Sequence, residues 1–172
     1  MRTKTATVQR TRNDSTRSGR PDAVSFRAIL PEDIDWKPFA AFPASVRLAV
    51  VVGQPSEPGL YVIRVKVPSG VKLMPHRHPE DRTYTVISGV FYIGRGEKFD
   101  PAKLEGYPPG AVVVLPGNTA HFHWAKSGEY VTQVTATGPL GIEYVDLDDD
   151  PRTKSEATRD SRRLPIPSAP QR

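Results

Sequence analysis

The chain has 172 residues, no cysteine and a formal net charge of +5. That length gives room for one domain, and the absence of thiols excludes a disulfide framework, a thiolate metal site and a cysteine nucleophile. The excess charge sits at the ends: residues 1–20 carry six basic side chains against one acidic, residues 151–172 carry six against two, and the stretch between is mildly acidic, so nucleic acid is not an expected partner.

Composition changes near Pro21 and again near Asp148. Residues 1–21 are predicted to be a disordered basic arm, 22–147 a single folded domain and 148–172 a disordered tail. The two ends hold too few apolar groups to offset the entropy of ordering them. Residues 1–20 share the Arg, Ser and Thr bias of an organellar transit peptide but lack its apolar stripe. With no secretory apolar region and no run of about 18 apolar residues, a soluble chain without a membrane span is expected, the cytoplasm being the favoured location.

The folded part opens on DIDWKPFAAF, which has room for a turn of helix before Pro38 and Pro43 interrupt it. From Ser45 onward strand follows short strand. SVRLAVVVG, LYVIRVKV, TYTVISGVFYIG, AVVVLP, AHFHWAK, EYVTQVTATG and GIEYV are rich in β-branched and aromatic residues and are punctuated by Gly, Pro, Asn and Ser. In LYVIRVKV, Tyr61, Ile63, Val65 and Val67 share one face while Arg64 and Lys66 share the other, the period of a half-buried strand. GRGEKFDPAKLEGYPPG reads as a polar excursion between strands, since no helix start follows its glycines. With 18 prolines, 13 glycines and no long helical period, an all-β sandwich or barrel is predicted.

All four histidines fall in two pairs, His76 with His78 and His121 with His123. Along a strand, residues i and i+2 point the same way, so two such strands would bring up to four imidazole nitrogens into one pocket. That donor set serves Fe, Zn, Ni, Cu or Mn. Arg82, Tyr84 and Val86 share one parity on the next strand, so Tyr84 either offers its hydroxyl to a substrate or fills the interior. Phe91, Phe122, Trp124 and Tyr130 read as core or interface aromatics.

Two motifs built on these histidines resemble those of the cupin superfamily. In the first, Gly70 is followed by five residues, His76-Arg77-His78, three residues, Arg82, six residues and Gly89. In the second, Gly110 is followed by five residues, Pro116-Gly117-Asn118, two residues, His121, three residues and Ala125. The resemblance covers roughly residues 45–145. It implies a double-stranded β-helix, or jelly-roll barrel, over residues 22–147. It also implies a homodimer and a divalent metal ion (Fe, Zn, Ni or Mn) held by His76, His78 and His121. Asn118 stands in place of the motif's second Gly, a mild change because Asn tolerates left-handed backbone. Ala125 stands in place of its final Asn.

Arg82 occupies the position of the family's Glu ligand. A guanidinium cannot bind a cation and is repelled by one unless paired. Three arrangements are open: three histidines alone hold the metal and Arg82 favours a small anionic ligand; Glu80 or Asp81, or else His123, joins as a further ligand; or the site holds no metal and Arg82 pairs with Glu80 or Asp81. The functional expectation is a metal-dependent small-molecule enzyme, dioxygenase-like or a Lewis-acid isomerase or cyclase, with Arg82 and Tyr84 as catalytic residues. The competing expectation is a non-catalytic ligand-binding or sensor module on the same barrel.

Overall fold

A computed structural model describes residues 27–153. The expected N-terminal arm lies outside the described residues, as does the expected tail beyond Thr153. Asp148, Asp149 and Asp150 are described and closely tied: the 3-10 turn Leu147–Asp149 leads to Asp150, which pairs with Arg152 at 2.6 Å.

The strands predicted from punctuation and alternation assemble into two antiparallel five-stranded sheets. In chain order they are β1 (Arg47–Val52), β2 (Gly59–Val67), β3 (Lys72–Arg77), β4 (Arg82–Ser88), β5 (Phe91–Arg95), β6 (Glu105–Tyr107), β7 (Val112–Leu115), β8 (His121–Trp124), β9 (Tyr130–Gly138) and β10 (Glu143–Tyr144). The first sheet has the order β1-β2-β9-β4-β7, the second β10-β3-β8-β5-β6. Sequence neighbours are repeatedly split between the sheets, which is how a jelly roll closes a core between two faces. The expected all-β double-stranded β-helix is the observed architecture.

Alternation decides what fills the interior. Tyr61, Ile63, Val65 and Val67 of β2 are buried as their period predicts, and they meet Tyr84, Val86, Phe91, Leu115, Tyr130 and Val134 in one apolar cluster. Each of the larger aliphatic or aromatic side chains contributes about 1.5–3 kcal/mol by leaving water. The opposite face of the second sheet is also covered: Phe99, from the excursion after β5, packs on Phe122 with ring centroids 5.0 Å apart.

Three details depart from the sequence expectations. The turn of helix expected in DIDWKPFAAF forms earlier, as the 3-10 turn Pro31–Asp33. The segment behind it is drawn into extended pairing instead, with Lys37 and Leu48 exchanging backbone hydrogen bonds of 2.9 and 2.8 Å. Pro38 has no N–H to continue a helix there. The polar excursion contains a short strand, β6, which pairs with β5 through Phe91, Tyr92 and Ile93. Finally, β3 carries a bulge between Leu73 and His76. Pro75 sits in it, where a missing N–H costs no ladder bond. Because of that bulge, Leu73 and His76 both face β8 partners on the interior side despite their odd spacing.

Candidate metal centre

The bulge sets the position of the histidines. It leaves His76 directly opposite His121, and Leu73 opposite His123, across the β3–β8 pair. Directly opposed residues project to the same face of a sheet. His78 lies just past the end of β3 yet is buried like the other three. The rings form one cluster, with centroids 4.3 Å apart for His76 and His121, 5.0 Å for His76 and His78, and 5.3 Å for His78 and His121.

Three of the imidazoles are oriented by the backbone. His76 Nδ1 lies 2.6 Å from Met74 O, His78 Nδ1 2.5 Å from Gly141 O, and His121 Nδ1 2.9 Å from Thr119 O. A carbonyl can only accept, so each Nδ1 carries the proton and each Nε2 keeps a free lone pair. His76 Nε2 and His121 Nε2 are buried with no hydrogen-bond partner. The ligating atoms of His76, His78 and His121 lie within 4.8 Å of one another. Buried, unpaired lone pairs converging on one point are costly unless something occupies that point, and a divalent cation fits this donor set.

Burial holds these rings neutral. His121 is lowered to about 4, first by burial and less by the charge of Arg82, against an upward pull from its bond to Thr119. His76 and His78 lie well below the ordinary imidazole range, burial again leading. Neutral imidazole is the form that binds metal.

His123 is brought to the edge of the cluster, 5.1 Å from His121 and 5.5 Å from His76 between ring centroids. It stacks edge-on against Phe91 at 4.8 Å, and its Nε2 is buried and unpaired. It stands beside the three-nitrogen group and is not part of it.

Arg82 is 3% exposed at the start of β4. Its Nη2 and Nε both donate to Glu80 Oε1, the latter at 3.0 Å, and Nη2 also reaches the Tyr61 hydroxyl at 3.3 Å. Tyr61 donates in turn to Glu80 Oε1 at 2.6 Å, and the Gly141 N–H donates to Glu80 Oε2 at 3.3 Å. Both Glu80 oxygens are therefore engaged away from the histidines, and the buried cation is neutralised where it stands. Asp81 is occupied as well, accepting from Gly117 N at 2.6 Å. The peptide of Gly141 links the two systems, since its N–H is held by Glu80 and its carbonyl holds His78.

Tyr84 lies inside, as its parity predicts. Its hydroxyl is buried without a hydrogen-bond partner, and burial raises its pKa, so it keeps its proton. Tyr130 has the same character, although its sequence suggested only a packing aromatic. The signal was present in β9, where Tyr130, Thr132 and Val134 share the inward parity. A cavity of about 10 Å³, room for roughly one water, is lined by His76, His78, His123, Arg82, Tyr84 and Tyr130, among others.

Two turns complete the site. Asn118 adopts φ 59°, the left-handed conformation its place in the second motif requires. A Cβ on Gly117 would stand 2.5 Å from Pro79 O, so only glycine lets this turn lie against the Pro79 backbone beside His78.

The fold is the one cupins have, a double-stranded β-helix, and the histidines of the two motifs lie inside it. No protein-family model and no curated protein sequence matches the chain. Solved structures do. The polyketide cyclase RemF from Streptomyces resistomycificus superposes with a TM-score of 0.61 at 16% identity, covering 77% of this chain and 94% of that one. A cupin 2 conserved barrel domain protein from Rhodopseudomonas palustris gives 0.56 at 19% identity over 80% and 95% of the two chains. A sugar phosphate isomerase of the cupin superfamily from Silicibacter pomeroyi gives 0.54 at 15% identity over 71% and 83%.

Proposed function

We propose that this protein is a metal-dependent enzyme acting on a small anionic molecule, with His76, His78 and His121 holding one divalent ion. The observation that carries the reading is the set of three imidazoles whose Nδ1 protons are fixed on backbone carbonyls, so that their Nε2 lone pairs converge. Fe, Zn, Ni and Mn all suit such a donor set; when bound, the ion supplies Lewis-acid polarisation of a substrate oxygen or, as iron, redox chemistry with dioxygen.

No carboxylate joins the three nitrogens, so nothing in the protein reduces the positive charge at that point, and an anionic ligand is favoured. Arg82 plays a different part from the one its charge suggests. Paired with Glu80, it forms a neutral unit that presents its remaining N–H groups to the cavity as fixed donors. Tyr84 holds a proton at its hydroxyl and donates a hydrogen bond to the substrate. His123, unprotonated at one nitrogen through burial, accepts a proton or a hydrogen bond at the other side of the cavity. Phe91 and Tyr130 exclude water.

The solved structures that share the fold include a cyclase and an isomerase, which is consistent with Lewis-acid chemistry. The test is turnover by metal-loaded against chelator-treated protein, using oxygen uptake with diketones and small carboxylates for iron, and isomerase and cyclase assays for zinc, nickel and manganese. Metal-dependent turnover lost in His121→Ala supports the proposal. A bound anion with no turnover under any metal favours the non-catalytic module, to which the small size of the cavity also lends weight. We further propose a homodimer; light scattering of the full chain should give twice its mass.

A further inference from the structure

The second sheet ends at β6 and the first at β7, and between these two free edges lies a cleft of about 250 Å³. Its floor is apolar, made by Ile93, Val113 and Leu115, and its rim carries Arg95, Lys103 and Glu105. Strand pairing fixes where it stands relative to the histidines. On the second sheet Ile93 is opposite His123 and Arg95 opposite His121; on the first, Val113 is opposite Tyr84 and Leu115 opposite Arg82. Opposed residues share a face and adjacent strands are about 4.8 Å apart. Each wall of the cleft is thus one strand away from a wall of the histidine cavity. Thr119 also lines the cleft, and its carbonyl is the one that holds His121 Nδ1.

The rim has a charge preference. Among the described residues, neither Arg95 nor Lys103 takes part in an ion pair. Glu105 accepts the Tyr107 hydroxyl at 2.7 Å and is directed along its own strand. Two cations face one engaged carboxylate above an apolar floor.

We propose that this cleft binds the body of a carboxylate-bearing organic molecule, its apolar part on Ile93, Val113 and Leu115 and its carboxylate on Arg95 and Lys103. The far end of the ligand then points between Ile93 and Leu115 toward the histidines; this last element rests on the proposed function, whereas binding in the cleft does not. The cleft supplies the room that the histidine cavity lacks, and the substrate class follows from it: an elongated monocarboxylate with an apolar body. A guanidinium and an ammonium on one rim suit a carboxylate, Arg bidentately and Lys as a point charge.

The test uses phenylacetate, 3-phenylpropionate and 4-phenylbutyrate against their uncharged amides, titrated into full-length protein both metal-loaded and chelator-treated, and followed by amide chemical shifts. The carboxylates should shift Ile93, Val113 and Leu115 in both forms and bind at least tenfold more tightly than the amides. Arg95→Gln and Lys103→Gln, both exposed substitutions, should each remove most of that preference with no change in metal content. Equal affinity of acid and amide, or shifts confined to the histidine cavity, would overturn the proposal. If the protein takes up no metal while the cleft shifts persist, the proposed function fails and this site stands.

Discussion

At the scale of single residues, Arg82 decides how the centre is built. Standing where the motif it resembles has a carboxylate, it draws Glu80 and the Tyr61 hydroxyl into a buried network and leaves the nitrogens as the donors. Glu80 should therefore behave as a positioning residue. Glu80→Gln leaves a buried guanidinium without its counter-charge, which should cost about 3–5 kcal/mol in denaturant unfolding. It also loosens the Gly141 peptide that holds His78, so metal affinity should fall about tenfold or more in a competitive titration. Tyr61→Phe removes the hydrogen bond donated to Glu80 and the longer one accepted from Arg82 but leaves the ion pair, and should cost only about 1–3 kcal/mol. Metal affinity unchanged in Glu80→Gln would show that Gly141 is fixed by other contacts. The four histidines were legible in the sequence because parity and motif spacing are local. That Arg82 could pair with Glu80 or Asp81 was among the arrangements the sequence left open; the choice of Glu80 was not legible, since it draws on Tyr61 from β2 and on a loop near residue 141, and Pro79 hides the direction of Glu80.

Among elements, the turn between β7 and β8 carries the greatest leverage. It holds Asn118 in left-handed backbone, takes its Gly117 N–H to Asp81, and delivers the Thr119 carbonyl to His121. Gly117→Ala places a Cβ against the Pro79 backbone, which cannot swing aside as a side chain would. We expect a loss of about 1–3 kcal/mol and weaker metal binding in the same variant. An Ala variant with wild-type stability and metal content would refute that coupling. Most strands could be read from alternation, as β2 shows. The bulge in β3 could not, although Pro75 marks it, because only the pairing partner β8 reveals that Leu73 and His76 face the same way. Strand β6 escaped notice because three residues with a glycine at the centre, Glu105–Tyr107, hold no alternation to detect.

For the molecule as a whole, burying four neutral histidines makes folding depend on pH in the metal-free state. Their folded pKa values lie below the ordinary value of 6.5, so the unfolded chain binds more protons over the interval between. Their contribution is fully present above about pH 6.5 and is lost as pH falls, for His121 through about 4. Chelator-treated protein should thus melt progressively lower between those values, and melting independent of pH across that window would contradict the burial of these rings. Bound metal should flatten the upper part of the curve, since an ion that binds only the folded state stabilises it until protons displace it. Among the described residues no helix is long and apolar enough to cross a membrane.

The central claim is that His76, His78 and His121 hold a metal ion without a carboxylate, and elemental analysis by plasma mass spectrometry tests it most directly. Protein purified without chelator should carry close to one divalent ion per chain. His76→Ala should carry almost none, and Asp81→Asn should remain loaded. A wild-type chain that stays near zero after reconstitution, or a His76→Ala variant that keeps its ion, would contradict the assignment.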